Sequence, residues 1–242
     1  MTKPNHQSVL IQPWQNQKQV EEAGFHFHIF GSGRASFDQG SLALEVEADT
    51  SQSYCCARIH EVDVYKPVAE RVKYWQVTDQ QYLQVNYRLK WYAAEVNPSL
   101  TESAYMTNAA PFDVDPLAAM TAVGVARTPL LQTYGAVVAQ NVVANPQTQA
   151  LSGFMQVMPL QVDPTKWHDV RLTIQPLRAM VEISQGDAPF TAVIDCEVPE
   201  PFEALGFAFS LDNELLPGQM APVPTKDGLT IAKYEAKLVP AE

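Results

Sequence analysis

Apolar and polar residues alternate with a period of two along much of this chain, the spacing that sends successive side chains to opposite faces of a strand. The longest such run is Tyr82 to Tyr92. Leu83, Val85, Tyr87, Leu89 and Trp91 fall on one face, and Gln84, Asn86, Arg88 and Lys90 on the other. Gly24 to Phe30 alternates large apolar residues with His26 and His28 and is stopped by Gly31-Ser32-Gly33. Leu42, Leu44, Val46 and Ala48 share a face opposite Glu45 and Glu47. The pattern predicts further extended segments over 53–65, 118–127, 134–143, 151–160, 169–175, 179–184, 191–196 and 204–211. A closing strand over 229–238 is set off by a turn at Asp227-Gly228.

Two of these segments differ in kind. Val123, Val125, Val137 and Val138 sit among Ala and Gly with little alternation, which implies that both faces are shielded from water. Ala and Met would also suit a helix over 117–126, but Gly124, the valines and Pro129 favour a strand. Asn97 to Pro116, with Pro98, Pro111 and Pro116, reads as a long loop, and residues 1–20 read as a loosely ordered N-terminal arm. About a dozen short strands at close spacing predict an all-β, two-sheet sandwich or a barrel. No composition break or repeat divides 21–242, so that stretch is expected to be one domain, of a size that all-β units commonly reach.

Charge narrows the partners. Sixteen Lys and Arg against 27 Asp and Glu give −11 at pH 7, which disfavours nucleic acid and anionic membrane surfaces. No apolar run reaches the ~18 residues of a membrane span, and Met1 to Trp14 has no apolar leader segment. Cys55 and Cys56 are adjacent and point to opposite faces of a strand, so they do not bridge each other, and reduced thiols in a cytoplasmic protein are the simplest expectation. A homo-oligomer is compatible with all of this.

Lys166-Trp167-His168-Asp169-Val170-Arg171-Leu172, a turn, Val181-Glu182-Ile183, the acidic strand Val193-Ile194-Asp195 and Gly206-Phe207-Ala208-Phe209-Ser210 resemble the later strands of the concanavalin A-like lectin/glucanase superfamily. Gly40 to Leu44 is similar to an early strand of the same jelly roll, so the likeness spans most of 24–240. It implies two antiparallel sheets, one concave, with a saccharide usually bound on the concave sheet or at its rim. Many bacterial members have no assigned role, and fold alone does not fix function.

Glu45, Glu47 and Asp49 are similar to the Glu-x-Asp-x-x-Glu run with which laminarinase-type glucanases present nucleophile and acid/base, but the spacing differs and a solvated strand face explains them as well. His26, His28 and His60 are zinc candidates without a third ligand fixed by spacing, and Asp212-Asn213-Glu214 and Asp113-Val114-Asp115 are thin calcium candidates. No metal or cofactor is therefore assigned. His168 is expected to seal a sandwich end and Cys55 and Cys56 to be buried small hydrophobes; of the possible stacking rings Trp14, Trp75, Trp91 and Trp167, Trp91 belongs to an apolar stripe and reads as core, and Trp75 is the better ligand candidate. The ligand-binding set predicted is Trp75, Arg88, Tyr105, Arg127 and Tyr134. Tyr105 and Met106, in the expected loop, would cover an apolar trough made by 118–143. The reading this supports is non-catalytic binding of a glycan or small amphipathic ligand in the concave groove. Its alternatives are an enzyme on the same scaffold (a glycoside hydrolase or lyase, or a small-molecule biosynthetic enzyme) and a structural or assembly subunit.

Overall fold

The computed structural model describes residues 8–48, 54–61, 75–95, 100–108, 119–127, 133–144, 151–202, 204–214 and 225–241. In chain order the elements are β1 Ser8–Ile11, α1 Gln17–Glu22, β2 His26–Phe30, β3 Arg34–Asp38, β4 Ser41–Ala48, β5 Tyr54–His60, β6 Gln81–Trp91, β7 Leu100–Thr107 and β8 Met120–Arg127. They continue with β9 Tyr134–Ala144, β10 Leu151–Pro159, β11 His168–Gln175, β12 Arg178–Gln185, β13 Thr191–Glu197, β14 Gly206–Glu214 and β15 Thr225–Pro240. An eight-stranded sheet runs β13-β12-β11-β6-β15-β4-β3, with β1 also on β15, and a seven-stranded sheet runs β10-β9-β8-β7-β14-β5-β2. Both sheets are antiparallel, and they form a jelly-roll sandwich: the sandwich rather than the barrel of the two architectures that the strand pattern allowed, and the one that the resemblance implied.

The alternating stripes become the core. Leu83, Val85, Tyr87, Leu89 and Trp91 of β6 are all buried, flanked by Val170, Leu172 and Ile174 of β11 and by Leu42, Leu44 and Val46 of β4. Facing them from the other sheet are Cys55, Ala57 and Ile59 of β5 and Phe207, Phe209 and Leu211 of β14. Tyr87, Phe207, Phe209 and Tyr234 meet edge to face or tilted at the centre, with ring centroids 4.6–6.3 Å apart, the arrangement aromatic quadrupoles favour.

Four sequence expectations need correcting. Residues 8–20 are not a loose arm: β1 pairs with β15, and Val9, Ile11, Trp14 and Val20 are buried. Asn16 caps α1, its side-chain oxygen accepting from the Gln19 amide at 3.0 Å. The expected 97–116 loop contains β7, whose residues 102–107 are all buried; a strand covered on both faces shows no alternation to read. Met106 lies in the core and Tyr105 on the opposite face of that strand, so neither belongs to a covering loop. Asp227-Gly228 is no turn but continues β15 beside β4. Glycine is needed at 228 because a Cβ there would come 2.5 Å from the Tyr92 ring. The strand reading of 118–127 over the helical one is what the fold has, in β8. No helix among the described residues is long and apolar enough to cross a membrane.

Candidate ligand site on the seven-stranded sheet

Strand registers arrange the outer face of the seven-stranded sheet in cross-strand rows. One row runs Ala126, Ser103, Ser210, Arg58, His28 from β8 to β2, and the next runs Val137, Gly124, Tyr105, Ala208, His60, His26 from β9 to β2. Polarity therefore changes across the sheet. The β9–β8 half presents Ala122, Ala126, Val137, Ala139 and Val142, which cluster with Tyr105 and Ala208. The β14–β5–β2 half presents hydroxyls, a guanidinium and imidazoles. Both halves are buried: Ala139 is 1% exposed, Arg58 3% and Asp212 0%.

The polar half is organised by one ion pair. Arg58 Nε donates to Asp212 Oδ1 in a short contact, Arg58 Nη2 donates to the Tyr54 hydroxyl at 2.8 Å, and the Ser210 hydroxyl donates to Asp212 Oδ2. Burial raises the Asp212 carboxyl above its ordinary range, opposed by Arg58 and by the Ser210 hydroxyl. Burial lowers the His28 imidazole, with Arg58 adding to the effect, and pushes the Cys56 thiol up to about 11, which makes it a poor nucleophile. Burial also raises the Tyr105 phenol. The Ser103 hydroxyl, fully buried, stands against the Tyr105 phenol and partly opposes that rise. Gly124 lets β8 press close to this tyrosine, since a Cβ there would stand 2.4 Å from the Ala104 carbonyl oxygen and 2.6 Å from Tyr105 Cα.

The five residues predicted for the ligand do not converge. Tyr105 alone stands on this face. Trp75 is buried in the core, its Nε1 donating to Glu61 Oε2 at 2.9 Å, and Glu61 also accepts from the Phe207 amide and the Tyr234 hydroxyl. Arg127 is fully buried between the sheets, where its Nε lies 3.1 Å from Glu102 and its Nη1 donates to the Ala93 carbonyl at 2.9 Å. Tyr134 also lies between the sheets, with its hydroxyl 2.5 Å from His168 Nε2. Arg88 stands on the outer face of the eight-stranded sheet, opposite Asp169 and Lys233. Sequence alone assigned these side chains by type, and strand parity decided their faces. Arg58, Ser103, Ser210 and the pairing role of Asp212 were missed. Their only signal is their odd and even positions on β5, β7 and β14, which needs the register to be read.

The other candidates resolve as follows. Glu45 and Glu47 are on the outer face of β4, Glu47 reaching Lys226 at 3.6 Å; Asp49, Asp113 and Asp115 lie outside the described residues. Asp212 and Asn213 cannot share a calcium ion, because adjacent strand residues face opposite ways: Asp212 joins Arg58 and Asn213 turns into the sandwich. His26 and His60 are cross-strand neighbours with ring centroids 6.0 Å apart, and no group of three or more His, Cys, Asp or Glu suited to a metal ion occurs among the described residues. Cys55, Cys56 and Cys196 are all free thiols.

His168 yields a pH prediction. Its Nδ1 donates to the Lys166 carbonyl at 3.0 Å, so Nε2 is the acceptor for the Tyr134 hydroxyl and the ring is neutral. Burial lowers its pKa to about 4. The unfolded chain takes up this proton near pH 6.5 and the folded one only near 4, so falling pH favours unfolding across that window. The stability lost is about 3 kcal/mol, with no further loss from this group below pH 4. Urea midpoints at pH 7 and 4.5 should therefore differ more for the wild type than for His168→Gln.

No protein-family model matches the sequence, and no curated protein is significantly similar to it. Solved structures are similar in fold. A β-1,3-1,4-glucanase (lichenase) derived from a mouse hindgut metagenome has a TM-score of 0.58 at 10% identity, covering 97% of this chain and 100% of that one. The β-glucanase of Bacillus licheniformis has a TM-score of 0.58 at 12% identity, over 96% and 98% of the two chains. The κ-carrageenase of Pseudoalteromonas carrageenovora, in complex with an oligotetrasaccharide of κ-carrageenan, has 0.55 at 10%, over 100% and 98%. At such identities the likeness is one of architecture: the chain has the concanavalin A-like jelly-roll fold that its later strands resemble.

Proposed function

We propose that the protein binds, without chemically changing, a small amphipathic molecule against the outer face of the seven-stranded sheet. The observation that carries this is the split face itself. A buried apolar half (Ala122, Val137, Ala139, Val142) adjoins a buried polar half (Arg58, Asp212, Ser210, Ser103), so one molecule can lay an apolar body on the first and a polar or anionic head on the second. A desolvated ion pair is retained here although an apolar packing of similar volume would replace it at little or no cost to stability, which supports a role in meeting a polar head. A glycan fits less well, because Tyr105 is the one aromatic ring among the described side chains of that apolar cluster. A cytoplasmic site with reduced thiols belongs to the same proposal.

The neighbouring glucanases and carrageenase favour a second reading, glycan hydrolysis. A retaining mechanism needs two carboxyls about 5–5.5 Å apart and an inverting one a pair about 6.5–9.5 Å apart. Among the described side chains, Asp212 is the only carboxyl on this outer face, and it is held by Arg58. Glu102 and Glu61 turn into the sandwich instead.

Dansyl-labelled undecanoic acid tests the proposal. The wild type should bind it saturably at one site, and Arg58→Met combined with Asp212→Asn, which removes both charges together, should weaken binding at least tenfold, about 1.4 kcal/mol, while keeping the fold. No saturable binding by the wild type, or equal binding by the double variant, overturns the reading. Release of reducing ends from laminarin would put the hydrolase in its place.

A further inference from the structure

The outer face of the eight-stranded sheet carries a second arrangement, independent of the ligand reading above. Registers set its side chains in rows across β12, β11, β6 and β15: Met180, Thr173, Gln84, Lys237; then Glu182, Arg171, Asn86, Glu235; then Ser184, Asp169, Arg88, Lys233. Over the lower rows lies an open groove of about 670 Å³ lined by Tyr82, Gln84, Arg171, Thr173, Gln175 and Glu182, among others. Beyond the upper row stands Trp167, half-buried, with Lys90 Nζ 5.0 Å and the Arg88 guanidinium 5.8 Å from its ring centre.

The middle of this face departs from the acidic balance of the chain. The chain has 16 basic and 27 acidic residues, yet over the three rows and Lys90 beyond them five cations, Arg88, Lys90, Arg171, Lys233 and Lys237, stand against three carboxylates, Asp169, Glu182 and Glu235. Lys233 and Lys237 share one carboxylate, that of Glu235, at 3.5 and 3.7 Å. Arg171 is held in position by stacking on Phe190, 4.0 Å from the ring centre, by Asn86 at 3.3 Å and by Glu182 at 3.7 Å. A guanidinium fixed in this way is pre-organised for an oxyanion. Amides and hydroxyls of Gln84, Asn86, Thr173 and Gln175 stand around it, all borne on strands, which hold a site more firmly than loops do. Lys90 to Tyr82 spans about 27 Å of extended strand, room for several pyranose rings.

We infer that this face binds an acidic oligosaccharide, its carboxylate or sulfate groups on Arg171 and the lysine and arginine rows, its hydroxyls on the amide side chains, and one ring against Trp167. The position is distinct from the covered face of the other sheet, and the guest is a linear, hydrated anion rather than an apolar molecule.

Calorimetric titration of the full chain at about 50 mM salt tests this with three probes. They are hexagalacturonate, whose anions are carboxylates, a κ-carrageenan hexasaccharide, whose anions are sulfates, and neutral cellohexaose. At least one acidic probe should bind saturably and lose affinity as salt rises, and the one that does identifies the anion. Arg171→Gln should weaken that binding about tenfold, and so should the joint change Lys233→Gln, Lys237→Gln, made at half-buried positions on the outer face, with thermal unfolding of the variants to check that the fold is kept. Lys18→Gln on α1 should change nothing. The inference is overturned if neither acid binds, if cellohexaose binds as tightly, or if both the Arg171 variant and the double lysine variant bind like the wild type.

Discussion

Replacing Arg127 by Leu is expected to lower stability by about 3–5 kcal/mol, roughly 10 °C in Tm for a chain of this length. The guanidinium lies fully buried between the sheets, 3.1 Å from Glu102 and 3.9 Å from Asp227, and 5.5 Å from the centre of the Trp91 ring. It also donates to the Ala93 and Glu95 carbonyls, tying the chain after β6 to β8. Removing it strands two acidic groups in a dry interior. Burial already holds the Glu102 carboxyl well above its usual range, with Arg127 pulling the other way, so loss of the arginine drives Glu102 towards protonation. Thermal unfolding of Arg127→Leu against Arg127→Leu combined with Glu102→Gln and Asp227→Asn checks this account. The triple variant should recover more than half of the loss, because the cost lies in uncompensated charge rather than in missing attraction. Equal destabilisation of the two would assign the effect to packing alone.

Trp75→Ala should be nearly as costly, about 3–5 kcal/mol, and should act through the core. The indole is 1% exposed and its backbone bridges Leu205. Its N–H is one of the donors to Glu61, so truncation leaves a cavity and removes a partner from a buried carboxylate. Trp75→Phe refills most of the volume without the donor. Comparing the two variants by denaturant titration separates the cavity from the lost hydrogen bond, and Trp75→Phe should recover most of the stability if volume dominates. Since Trp75 does not face either sheet's outer surface, Trp75→Phe should leave binding of the dansyl-labelled acid unchanged.

The same tryptophan shows what composition can and cannot convey. An indole beside Tyr74, close behind Arg71 and Lys73, looks in sequence like a stacking ring, because neighbours in the chain are visible and neighbours in space are not. Trp91 was legible as core, since it closes an alternating stripe whose other members are apolar. Arg127 and Tyr134 were legible as notable, being polar groups at the ends of apolar runs, but their partners Glu102 and His168 lie on other strands.

What the sequence determined by itself is the all-β class: period-two alternation is satisfied by strands with one face buried, and enough such strands close into a sandwich or a barrel around one core, with only the likeness of the later strands pointing to the sandwich. It also determined most strand positions, β6 and β8 through β15 among them but not β7, and the burial of both faces of β8 and β9, because Ala, Val and Gly without alternation have no water-facing side. Tertiary structure alone decided where the chemistry sits. Whether Asp212 meets Arg58 or Asn213 turns inward depends on register, and a slip of one residue would exchange every face. Register is set by pairing between strands as distant as Arg58 and Asp212, so the polar half of the covered sheet and the cationic rows of the open one exist only once the two sheets have formed.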